Sequence, residues 1–125
     1  MQEYYNILDL LFDVKVELKK DLQEIVDEVY GKYQDTVNMS YSELKAWSLT
    51  ECSKKASLDR NPIERNLNLL SKNKSEWGAT EVKSANRTIS FVSRMKNMPN
   101  GEPASKNCPS KRDISLKNWA YNPSK

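Results

Sequence analysis

Eight apolar residues, Ile7, Leu11, Val14, Leu18, Leu22, Ile25, Val29 and Tyr33, recur at intervals of three or four near the start of the chain. Such spacing places them along one side of an α-helix, and no glycine or proline interrupts the run before Gly31. A helix of about 30 residues is roughly 45 Å long at 1.5 Å per residue. That exceeds what the rest of so short a chain covers. The expectation is therefore one long amphipathic helix over residues 1–36, whose stripe either packs on a second copy or a partner, or folds back onto the helices that follow. The heptad-like spacing makes Leu11, Val14, Leu18, Leu22, Ile25 and Val29 the candidate self-association residues, in a homodimer.

Charge divides at the same place. Residues 1–36 hold nine acids against four lysines, a net of −5, while residues 37–125 hold eight acids against sixteen bases, a net of +8. The total of +3 hides this contrast. An acidic helix followed by a basic region from residue 37 is the domain organisation that the charges suggest.

Beyond the first helix, capping signals set the boundaries. Ser40-Tyr-Ser-Glu43 and Ser48-Leu-Thr-Glu51 fit the capping box, in which a hydroxyl and a carboxylate satisfy amides of a first helical turn. One or two short helices are expected over about 41–58. Asn61-Pro62-Ile-Glu64 is the strongest start signal, with Ile63, Leu67 and Leu70 on the buried side. The next helix should run from about Thr80 to Asn97, stopping before Pro99 and Gly101. A loop over about 99–109 follows. Ser110-Lys-Arg-Asp113 then caps a last short helix carrying Ile114, Leu116 and Trp119. No convincing strand pattern appears, so the expected fold class is all-α.

Composition excludes several classes of function. There is no histidine, which removes the commonest general base and metal ligand. Nucleotide-binding glycine motifs are absent, and so is a zinc-protease motif. Glu43, Glu51, Asp59 and Glu64 invite comparison with a magnesium site, but most lie at helix starts, where capping and the helix dipole account for them. No enzyme activity, metal or other cofactor is expected. No apolar run is long enough to span a membrane, and the N-terminus lacks a basic and apolar leader, so a membrane association is not expected and an intracellular location is. Cys52 and Cys108 lack a CxxC neighbour and are expected as reduced thiols, with a disulfide between them the lesser alternative.

The most informative surface lies on the helix over 80–97. Val82, Ala85, Ile89 and Val92 share one side, and Lys83, Arg87, Ser90 and Arg94 the other. Cations on one helix face are able to follow a phosphate backbone; Lys54, Lys55, Lys111, Arg112 and Lys117 would extend the track, and Trp119 and Tyr121 would stack on unpaired bases. The plain reading is a solvated helix face, with the two tail aromatics anchoring the terminus. Trp47 and Trp77 are expected as core anchors.

The segments SKKASLDRNPIERNLNLLSKNKSEW, ANRTISFVSRMKNMPNGEP and CPSKRDISLKNWAYNPSK resemble a family of small uncharacterised proteins of marine bacteriophages, particularly T4-like phages of cyanobacteria. The resemblance covers a little over half of the chain and leaves out the acidic helix. It implies a setting, the cytoplasm of an infected bacterium, where accessory proteins bind nucleic acid, dock on a host protein, or serve as minor virion parts. Binding of nucleic acid is the first expectation, and docking on a host protein through the N-terminal stripe is the alternative.

Overall fold

The structure of the protein, a computed structural model, describes residues 21–56 and 61–125. Five α-helices account for most of it: α1 (21–36), α2 (Tyr41–Ser48), α3 (Pro62–Ser71), α4 (Ala79–Met95) and α5 (Lys111–Asn118). Short 3₁₀ turns at Cys52–Lys54 and Lys74–Glu76 join them. The described residues contain no strand, apart from an isolated bridge between Pro103 and Ser110. The fold is all-α, as the periodicity indicates. The first 20 residues of the expected N-terminal helix lie outside the described residues, and Leu11, Val14 and Leu18 with them.

Local chemistry explains most of the boundaries. At α2, the Glu43 amide donates to Ser40 Oγ (3.1 Å) and the Ser40 amide to Glu43 Oε1 (3.1 Å), completing the box that the sequence announces. The second box does not form. The Ser48 hydroxyl instead donates back to the Lys45 carbonyl (2.6 Å), and Thr50 Oγ1 receives the Ser53 amide (3.3 Å). The last turn of α2 needs partners for its carbonyls, and Ser48 is taken up by that need. Helix α3 starts with Asn61 at the N-cap and Pro62 at the first position. Helix α5 starts at Ser110, whose hydroxyl receives the Asp113 amide (3.2 Å).

Helix α3 packs against α2 and α4, and α5 packs against α2, α4 and the Cys52–Lys54 turn. The main core joins Val26, Val29 and Tyr33 of α1 with Leu44, Trp47, Leu69, Trp77, Val82, Ala85 and Ile114. Leu22 packs against its edge. Of the self-association candidates, Val29 is thereby buried within the chain and Leu22 is partly covered, because α1 lies on the following helices. Ile25 keeps 41% of its surface exposed, and Val26, one position on, points inward at 2%. Trp47 and Trp77 are both buried.

The cysteines also depart from expectation. Cys52 and Cys108 form a disulfide with a Cα–Cα distance of 5.5 Å, tying the first 3₁₀ turn to the loop before α5. Their separation of 56 residues hides this proximity in the sequence.

A candidate nucleic-acid interface on helix α4

Helix α4 is two-sided in the way its periodicity requires. Val82, Ala85 and Val92 are buried, and Ile89 is partly so. Thr88 joins them, its hydroxyl donating to Asn66 Oδ1 (2.9 Å). On the other side Lys83, Asn86, Arg87, Ser90 and Arg94 are exposed. The helix is anchored at its start by Glu81, which accepts from the Gly78 amide (2.8 Å) and pairs with Lys72 (3.0 Å). That amide bond first, and the Lys72 ammonium after it, hold the Glu81 carboxyl below its ordinary range.

Those exposed residues line an open groove of about 610 Å³ together with Phe91 and Trp119. Its wall comes from α5, whose C-terminal end brings Trp119 against α4. Phe91 and Trp119 stack with centroids 4.4 Å apart and planes 14° from parallel. The Arg65 guanidinium carbon sits 5.2 Å from the Trp119 ring, and that of Arg94 sits 6.0 Å from the Phe91 ring. Cations and aromatic carbon thus line the same groove, a combination physically suited to an extended anion. No protein family, curated protein or solved structure was found to match the chain. The geometry of the groove is therefore the ground for any functional reading.

The structure sorts the candidate residues into those it brings together and those it does not. Lys83, Arg87, Arg94 and Trp119 share the groove. Arg112 does not line it: the guanidinium donates to the Met98 carbonyl (2.7 Å) and pairs with Asp113 (2.9 Å), holding the loop before α5. Lys117 is turned elsewhere, its ammonium 4.1 Å from the Trp47 ring, in a smaller depression with Met39, Glu43 and Asn122. Lys111, Lys54 and Lys55 are exposed, but none of them lines the groove.

Trp119 is itself a correction. It is only 7% exposed, packed with Val92 and Leu116 in a second small core, so it offers no open face for an unpaired base. Tyr121 packs on that same core. Phe91 was not singled out by the hydrophobic pattern, since it falls between the two faces of the helix. A signal existed nevertheless, because Phe91 is four residues after Arg87 and three before Arg94, and so a neighbour of both on the helix surface.

Among the acidic candidates, structure accounts for Glu43. Glu43 serves the capping box and pairs with Lys125 (2.6 Å), and Asp59 lies outside the described residues. Among the described residues no group of three or more acids or cysteines is placed to hold a metal ion, and no helix is long and apolar enough to cross a membrane.

Proposed function

We propose that the protein is a non-catalytic module that binds nucleic acid along helix α4, with Lys83, Arg87 and Arg94 facing the phosphates. The observation that carries this reading is the convergence of those three cations on one open groove that Phe91 and Trp119 also line. Along a straight helix their Cα positions span about 16 Å, long enough to follow several phosphates. Contacts of this kind supply affinity without sequence preference, and Asn86 and Ser90 add neutral hydrogen-bonding groups on the same wall.

The phage resemblance makes an accessory protein of an infected bacterium the natural setting. The disulfide counts against a reducing cytoplasm, where such bonds are rare. Docking on a host protein, or dimer formation, through the N-terminal stripe would rest on residues 7–18, Ile25 and the open part of Leu22, since Val29 is buried in the core.

The test is fluorescence anisotropy with short oligonucleotides at increasing salt. Replacing Lys83, Arg87 and Arg94 together by alanine should weaken binding and flatten the slope of log affinity against log salt by about two to three. Thermal stability should hardly change, because exposed substitutions usually cost no more than about 0.5 kcal/mol. Failure of the intact protein to bind any oligonucleotide at low salt would return the α4 stripe to the role of a solvated face.

A further inference from the structure

We infer that the groove is built for a single strand and that Phe91 is the surface on which one base stacks, with Trp119 as its fixed backing. This rests on the nucleic-acid reading above and specifies its substrate class. A surface that only tracks a duplex needs cations and polar groups on an exposed ridge. Here the three cations share the lining of a concavity with two aromatic rings, Phe91 and Trp119. A rigid duplex, convex and with its bases turned inward, has no use for those rings. A single strand does, because every base has a free π-face.

The two rings are not equivalent. Trp119 is buried in the small core, so its stacked contact with Phe91 holds the latter at a set height and angle. Phe91 is half-buried and lines the groove. Its other neighbour on the groove side is the Arg94 guanidinium, 6.0 Å from the ring centroid. That distance is at the outer limit of a cation–π contact, and the contact is worth little at an exposed site. A base arriving over Phe91 displaces a loosely held guanidinium, and Arg94 then turns to the phosphate of the nucleotide. One substitution of contacts thus forms both a base stack and a charge-assisted phosphate contact. Arg87 and Lys83, about two and three turns nearer the start of α4 than Arg94, take the phosphates that follow.

The experiment compares three probes of one length by anisotropy: a single-stranded oligonucleotide, the same strand with abasic sugars, and the duplex. The intact protein should bind the base-bearing strand tightest. Phe91→Leu should weaken that binding about 5- to 150-fold, the range for loss of one base stack, and leave the abasic strand within about twofold. Phe91→Trp should retain binding to the base-bearing strand, which guards against misreading a folding defect in the leucine variant. Equal affinity for the base-bearing and abasic strands, or tighter binding of the duplex, would overturn the single-strand inference while the phosphate reading stands. Binding of none of the three overturns both.

Discussion

Asn66 shows what a single buried polar side chain does in this fold. It is fully buried on α3, where its Oδ1 accepts from the hydroxyls of Tyr33 (2.8 Å) and Thr88 (2.9 Å) and its Nδ2 donates to the Pro62 carbonyl (2.8 Å). One amide thereby joins α1, α3 and α4. Burial pushes the Tyr33 phenol up, so it stays neutral and available as a donor. Asn66→Leu leaves two buried hydroxyls without their acceptor, at about 1–3 kcal/mol each. We expect a total loss near 3 kcal/mol in urea unfolding and a smaller one, about 1 kcal/mol, for Tyr33→Phe. A leucine variant within about 0.5 kcal/mol of the parent would show that the hydroxyls find other partners. Asn118 plays the matching part at α5, accepting from Trp47 Nε1 (2.7 Å) and donating to the Ser53 carbonyl (3.0 Å).

Helix α4 carries the groove, and its N-terminal anchor makes it sensitive to acid. Glu81 has its folded pKa held below the ordinary value of 4.5, chiefly by the Gly78 amide. The unfolded chain therefore binds this proton more readily than the folded one. The resulting stability is fully present above the unfolded value and is lost as the pH falls through the lower, folded one. Glu43, held low by Lys125 and the Ser40 amide, acts in the same direction. The thermal midpoint should fall below about pH 4.5, and Glu81→Gln should give a flatter profile with a lower midpoint at neutral pH. Identical profiles for parent and variant would remove Glu81 from the account. Helix α5 ends on another local device: Ala120 has φ 65°, and the Tyr121 amide reaches the Leu116 carbonyl (2.9 Å). That left-handed step turns the chain so that Tyr121 folds back on the small core with Trp119.

Across the whole molecule, long-range ties hold the C-terminal tail against the segment joining α1 to α2. Asn38, between α1 and α2, exchanges two hydrogen bonds with the Asn122 backbone (2.6 and 2.9 Å), and Lys125 bonds both the Asn38 carbonyl and Glu43. The disulfide closes the other side. On the chain-entropy account, closing a loop of this size stabilises the folded state by about 4 kcal/mol. Replacing both cysteines by serine, or adding a dithiol reductant, should lower the thermal midpoint without changing the helical circular-dichroism signal at low temperature. Equal midpoints for oxidised and reduced protein would mean that the loop before α5 is held by Arg112, Ser110 and Asn100 instead.

The helix starts and the two faces of α4 were legible in the sequence, because caps act over three residues and a helical face repeats every 3.6. Ser40 with Glu43, Ser110 with Asp113, and the separation of Val82, Ala85 and Val92 from Lys83, Arg87 and Arg94 all depend on neighbours close along the chain. Tertiary structure alone decided the rest. The inward turn of Val26 depends on helices that follow α1, the pairing of Cys52 with Cys108 on a fold spanning 56 residues, and the burial of Trp119 on α5 crossing α4. The same crossing set Phe91 against Trp119 and made a groove out of a charged stripe. Period and caps carry no information about which distant elements meet, and a side chain's exposure is settled only when they do.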